Sequence, residues 1–109
     1  LQAAPTRWDL DSLRVIISSG AMWSLEVKRG LLELLPQVAL ADLLGSTEGG
    51  MGQSLMTRDT PPAETAKFML RPTSRVFTSD DREVQPGSGE VGLVANGGLV
   101  PLYYHKDPE

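Results

Sequence analysis

Val38-Ala39-Leu40-Ala41-Asp42-Leu43-Leu44 runs directly into Gly45-Ser46-Thr47-Glu48-Gly49-Gly50, and this junction sets the reading of the chain. The apolar run, taken from Gln37 to Leu44, is predicted to be a buried strand. The small, hydroxyl-bearing and acidic residues after it are predicted to be a loop from Leu44 to Gly52. Glycines let backbone approach a ligand closely, a threonine hydroxyl can donate to a phosphate oxygen, and a carboxylate is a hard oxygen ligand for Mg²⁺. The stretch has neither the GK[ST] ending of a P-loop nor the GxGxxG spacing of a dinucleotide fold. As local structure alone, Thr47 and Glu48 also suit the polar cap region of a following turn.

Upstream, Leu13 to Ser18 is a short β-branched run that reads as a strand ending at Ser19-Gly20. Ser24 is an N-cap for a helix predicted from Leu25 to Leu35, with Val27, Leu31, Leu34 and Leu35 on one apolar face. Glu26, Lys28, Arg29 and Glu33 are expected on its solvated face, and Pro36 stops it. Strand, helix and strand make a right-handed crossover unit, whose carboxyl-end loops, Ser18 to Ser24 and Leu44 to Gly52, share one edge. Ligands of open α/β sheets sit outside the carboxyl ends of the strands, so topology alone places a ligand between these loops.

Downstream the character changes. Gln53 to Thr65, with Pro61-Pro62, is expected to be a surface loop. Lys67 to Leu70, Ser74 to Thr78 and Glu90 to Ala95 read as short strands, separated by turns at Ser79-Asp80-Asp81, Pro86-Gly87-Ser88-Gly89 and Asn96-Gly97-Gly98. The expected fold class is α/β: residues 1–65 form a strand-helix-strand segment, and residues 66–109 a short antiparallel β segment of the same larger domain.

A net charge of −4, from 14 acidic and 10 basic residues, argues against a sequence-independent grip on nucleic acid. The absence of cysteine excludes disulfides, thiolate nucleophiles and sulfur-based zinc sites, and is compatible with a cytoplasmic origin. The longest apolar-rich stretch, Leu31 to Leu44, is interrupted by Glu33, Pro36, Gln37 and Asp42 and is too short to span a bilayer. The first residues lack a signal-peptide pattern.

Ser18-Ser19-Gly20-Ala21-Met22-Trp23-Ser24, Leu44-Gly45-Ser46-Thr47-Glu48, Gly89-Glu90-Val91-Gly92 and Tyr103-Tyr104-His105-Lys106-Asp107-Pro108-Glu109 occur in that order. The series resembles the adenylate-forming superfamily, most closely its acyl-CoA synthetases, whose pattern runs SGGAPLS, YGxTE, GEVG and GYYxDPE. The run from Lys67 to Pro108 looks like that of an actinobacterial fatty-acid or sterol side-chain CoA ligase. The resemblance implies an enzyme that makes an acyl-adenylate from a fatty or related acid and ATP with Mg²⁺, then transfers the acyl group to coenzyme A. By position it implies that Thr47 contacts the ATP phosphates and adenylate and that Glu48 binds the metal, both as catalytic residues. It also implies nucleotide contacts from Gly20, Ala21, Asp42, Leu43, Leu44, Gly45 and Ser46, and acyl contacts from Gly20, Gly49 and Gly50. Smallness at Gly20 and Ala21 is expected to leave a slot that a larger side chain would fill.

The sequence departs from the family at four of these positions. Leu44 replaces the tyrosine, Met22 the proline, Ser19 the first glycine, and Leu102 the glycine before Tyr103. Losing the aromatic at residue 44 removes a stacking surface worth about 1 kcal/mol. A second reading, from a different class, is therefore a diverged, non-enzymatic scaffold or interaction module. The lysine-bearing phosphate loop, ribose-binding aspartate and terminal-domain lysine of the superfamily do not lie within these residues. With Leu1 at one end and a family motif at the other, the chain is expected to be an internal fragment that does not turn over alone and that self-associates. His105 is expected to be an exposed surface histidine, Trp8 and Trp23 to pack, Met51, Met56 and Met69 to fill core gaps or line an acyl tunnel, and residues 80–83 to be a solvated hairpin turn.

Overall fold

The computed structural model describes residues 8–61 and 67–107. The expected boundary between residues 65 and 66 involves positions outside the described residues, as do Pro62, Thr65, Pro108 and Glu109. The elements are β1 (Val15–Ser19), α1 (Leu25–Leu34), β2 (Ala39–Ser46), β3 (Gly49–Met56), β4 (Met69–Leu70), β5 (Ser74–Phe77) and β6 (Leu93–Asn96). The first four strands form one sheet in the order β1-β2-β3-β4, and β5 pairs with β6 in a second.

β1 and β2 pair in parallel from Val15↔Ala39 to Ser19↔Leu43, as a strand-helix-strand crossover requires. The helix begins where the Ser24 side chain accepts a hydrogen bond from the Val27 amide at 3.2 Å, which satisfies one of the otherwise unpaired first-turn donors. It closes at Leu35, whose amide donates to the Leu31 carbonyl at 2.8 Å, immediately before Pro36.

Directly paired residues share a sheet face. The row Ile16, Leu40, Met56 lies toward the helix, and Leu40 and Met56 join Leu32, Leu35 and Val38 in the buried core. The next row on this face is polar: Ser18, Asp42 and Ser54. The opposite face carries Ile17, Ala41 and Leu55 in register; Ile17 and Leu55 are 62% and 55% exposed, and Val15 and Leu43 are exposed as well.

The polar row corrects the expected helix face. Lys28, expected in solvent, is buried, and its Nζ donates to Asp42 Oδ2. Val27 and Leu34, expected in the core, are exposed, while Leu32 is buried with Lys28. The helix is rolled so that an ammonium reaches the carboxylate, because a buried charge is tolerated only when paired.

Two further expectations are corrected. The loop placed from Leu44 to Gly52 is a tight hairpin: β2 and β3 pair antiparallel from Leu40↔Met56 to Ser46↔Gly49, leaving Thr47 and Glu48 as the turn. The surface loop expected from Gln53 begins only after Met56, since β3 continues through it. The downstream strands are found near their expected places, with β5 and β6 antiparallel from Ser74↔Asn96 to Phe77↔Leu93. The charged segment between them is a turn closed by the Arg82 carbonyl accepting from the Thr78 amide at 2.9 Å. Its charges are engaged as well as solvated, with Arg82 bonding Glu90 at 2.6 Å and Arg75 bonding Glu83 at 3.3 Å.

Trp23 packs against the core, whereas Trp8 is 58% exposed. Met56 is a core residue and Met69 lies at the surface.

The two charges at the helix-sheet contact have side chains only 10% and 5% exposed. Lys28→Met is expected to strand the Asp42 carboxylate and cost about 3 kcal/mol, whereas Lys28→Met with Asp42→Leu recovers most of the loss. Urea denaturation of the complete protein and both variants measures the difference. Equal stability of the single and double variants contradicts the expectation.

Candidate functional site

Because β1 and β2 are parallel, their carboxyl ends emerge on the same side of the sheet. β1 ends at Ser19 opposite Leu43, and β2 runs on to Ser46. Ser19 Oγ donates to the Leu43 carbonyl at 3.2 Å, tying the first loop to the second strand. Ser18 Oγ donates to the Ala21 carbonyl at 3.0 Å and closes a turn in which Gly20 has φ +77°. A Cβ added at Gly20 meets nothing within 4 Å. Glycine is therefore called for by its backbone angle, and no slot around Gly20 is formed by the described residues.

Beside this loop lies an open groove of about 280 Å³, lined by Ser19, residues 43–46, Gly49, Gly50, Gly52, Gln53 and Arg71. Much of its wall is bare backbone. A Cβ at Gly45 would stand 3.1 Å from the Gly49 carbonyl oxygen, and one at Gly50 would stand 3.1 Å from Arg71 Cζ. The pairing of β2 with β3 shifts register between Leu44 and Gly45, where the strand enters the turn.

Thr47 and Glu48 project at the hairpin tip, next to the groove residues Ser46 and Gly49, and both are exposed. The Tyr104 hydroxyl, far away in sequence, donates to Glu48 Oε1. The side chains of Ser46 and then Tyr104, together with the Glu48 amide, lower the Glu48 carboxyl pKa from 4.5 to about 2. The same contact raises the Tyr104 phenol, because its ionised form would face a carboxylate. Hydroxyl donors that bond to a carboxylate favour its charged form, and this turn presents a fixed anion beside a hydroxyl at neutral pH.

The positions read from the sequence thus divide into three sets. Leu43, Leu44, Gly45, Ser46, Gly49 and Gly50 line one groove with Ser19. Gly20 and Ala21 form the adjoining loop, and Thr47 and Glu48 the adjoining turn. Asp42 stands apart: it is 4% exposed, its Oδ2 accepts from Lys28, and its Oδ1 has no partner among the described residues. Sequence reasoning gave no role to Arg71 or Tyr104. Tyr104 sits in a quoted motif but reaches Glu48 only through tertiary structure, and Arg71 follows a short strand whose pairing the sequence did not reveal. His105 is exposed, as expected. No helix among the described residues is long and apolar enough to cross a membrane.

No protein-family model matches the chain. It is 35% identical over 105 residues to a medium/long-chain-fatty-acid–CoA/3-oxocholest-4-en-26-oate–CoA ligase of Mycolicibacterium smegmatis, covering 95% of this chain and 19% of that protein. It is 36% identical over 103 residues to a 3-oxocholest-4-en-26-oate–CoA ligase of Rhodococcus rhodochrous, covering 92% and 18%. A medium-chain acyl-CoA ligase of Mycobacterium avium is 36% identical over 101 residues, covering 91% and 18%. The chain therefore spans less than a fifth of the length of these relatives. Among solved structures, a luciferase-like enzyme from the mealworm Zophobas morio matches with TM-score 0.63 at 21% identity, over 94% of this chain and 26% of that one. IdnL1 matches with TM-score 0.60 at 21% identity, over 85% and 21%. These two likenesses speak to the fold.

Acid titration probes the turn directly. The depressed Glu48 pKa means that its contribution to stability is complete above about 4.5 and is lost as pH falls toward about 2. Tyr104→Phe removes one of the two side-chain donors and is expected to move the Glu48 carboxyl part of the way back to 4.5. Side-chain carboxyl NMR titration follows it, and an unmoved midpoint contradicts the contact.

Proposed function

We propose that this chain, homologous over nearly all its length to one segment of the acyl-CoA ligases of the adenylate-forming superfamily, contributes part of the nucleotide and acyl cleft of an ATP-dependent fatty-acid–CoA ligase. In this reading a substrate carboxylate oxygen attacks the α-phosphorus of ATP, forming the acyl-adenylate and releasing pyrophosphate. The coenzyme A thiol then attacks the acyl carbon, releasing AMP. The observation that carries the reading is the parallel register, which brings a tight serine-glycine turn and a threonine-glutamate turn to one end of the sheet beside a glycine-walled groove.

Thr47 donates its hydroxyl to phosphoryl oxygens, and Glu48, ionised at neutral pH, supplies a metal ligand. No group of three or more acidic, histidine or cysteine side chains that could hold a metal occurs among the described residues. One carboxylate with substrate phosphates and water completing the shell is an ordinary arrangement for Mg²⁺, so Glu48 fits that ion. When bound, the ion offsets charge on the phosphoryl oxygens. Leu43, Leu44 and Gly45 offer aliphatic and main-chain contact to the adenine, with Gly20, Ala21 and Ser46 alongside. Gly20, Gly49 and Gly50 border the acyl group. Asp42 acts from beneath, through β2, rather than by touching the nucleotide.

The alternative is a diverged scaffold that kept the fold without the chemistry. Leu44 favours it, because the groove has no aromatic lining residue. Acid-dependent exchange of pyrophosphate into ATP by the complete protein with Mg²⁺ separates the two, since only the ligase performs it. Thr47→Ala and Glu48→Gln are each expected to lower the exchange about 10²-fold. Exchange unchanged in both variants overturns the site assignment.

The isolated chain is expected to be inactive and to self-associate through the uncovered sheet face of Val15, Ile17, Leu43 and Leu55. Light scattering from the isolated polypeptide checks this, and a monodisperse monomer contradicts it.

A further inference from the structure

Three cations are engaged by carboxylates: Lys28 with Asp42, Arg75 with Glu83, and Arg82 with Glu90. Arg71 is different. Its guanidinium has no hydrogen-bond or ion-pair partner among the described residues, yet it lines the groove, whose lining includes no acidic side chain.

Its placement is fixed from the backbone. The Arg71 amide donates to the Met51 carbonyl at 2.9 Å, and its carbonyl accepts from the Ser74 amide at 2.9 Å. The residue is thus anchored to β3 on one side and to the start of β5 on the other. The guanidinium then lies against Gly50, where an added Cβ would stand 3.1 Å from Cζ and 3.4 Å from Nε and Nη1. The missing side chain at residue 50 is the room that the cation occupies. A planar, always-charged fork held against bare backbone, with no carboxylate to neutralise it, suits a group with two adjacent negative oxygens.

We propose that Arg71 is an oxyanion-binding residue of this groove, taking a carboxylate or phosphoryl group of the molecule held there. The inference deepens the functional reading and rests on it, since it takes the groove to be the one that receives nucleotide and acid. Both ligands carry the same chemistry, an oxygen pair in negative charge, and they are told apart by separate probes.

The experiment is isothermal titration of the complete protein, in one arm with AMP and in the other with decanoate. Arg71→Ala is expected to weaken at least one probe about tenfold or more. Loss confined to AMP identifies a phosphoryl contact, and loss confined to decanoate identifies a carboxylate contact. Arg71→Lys, a point charge without the fork, is expected to recover only part of the affinity. Gly50→Ala keeps the charge but pushes the guanidinium aside, and is expected to weaken the same probe. Raising the salt concentration is expected to weaken that probe for the unaltered protein more than for Arg71→Ala. An Arg71→Ala protein that binds both probes as the unaltered protein does overturns the role of Arg71 alone. Failure of the unaltered protein to bind either probe overturns both this role and the ligase reading beneath it.

Discussion

The parallel pairing of β1 with β2, from Val15↔Ala39 to Ser19↔Leu43, determines where everything else can lie. Two adjacent parallel strands must be joined by a crossover, and the residues between them supply one helix capped by Ser24 and closed before Pro36. The same pairing sends both strand ends to one side. A slip of β1 by one residue would bring Ile17 in place of Ile16 beside Leu40 on the helix side. The core and the position of the serine-glycine turn beside the threonine-glutamate turn are therefore set by one constraint.

The helix side of the sheet is apolar in its Leu40 row and polar in its Asp42 row. This polar row gives the helix a preferred rotation. An amphipathic stripe tolerates small rolls, but an ammonium that must meet a buried carboxylate does not. Lys28 therefore takes an inward position that hydropathy would give to Val27. Pairing the two charges adds little net stability compared with apolar residues of similar size, and its effect is on orientation. Asp42 sits three residues before Gly45, so holding it also holds the strand that enters the turn. Its free Oδ1 shows that the pairing is incomplete within the described residues.

What could be read from the sequence follows from what each signal measures. β-branched residues near Val15, the Ser24 cap and Pro36 are local signals, and the elements they mark were legible within a residue or two. The edge shared by the two loops was legible because topology needs only the order of elements. β3 was not, because Gly49, Gly50 and Gly52 have low strand propensity and no alternation reveals a buried face. That strand exists through pairing with β2 and β4, a tertiary cause. Lys28 reads as a solvent-facing residue for the same reason, since its partner lies across the chain fold. Of the groove lining, the residues at the β2 end are legible by position. The contact of Tyr104 with Glu48 and the placement of Arg71 over Gly50 depend on the packing of segments remote in sequence.

The glycines of β3 join these observations. A glycine inside a strand gives up roughly 0.5–1 kcal/mol relative to alanine, and three of them within one eight-residue strand amount to a real local cost. Each lies where another group approaches closely. At Gly49 a Cβ would come within 2.9 Å of Asn96 Nδ2, at Gly50 within 3.1 Å of Arg71 Cζ, and at Gly52 within 3.1 Å of the Met69 carbonyl oxygen. The bareness that makes the strand weak by itself thus lets β4, Arg71 and the end of β6 close in upon it. The second sheet, through Asn96, and the 104 phenol, through Glu48, brace the hairpin from outside. The Thr47-Glu48 turn is held by parts of the chain well removed in sequence, and its geometry is a property of the assembled fold.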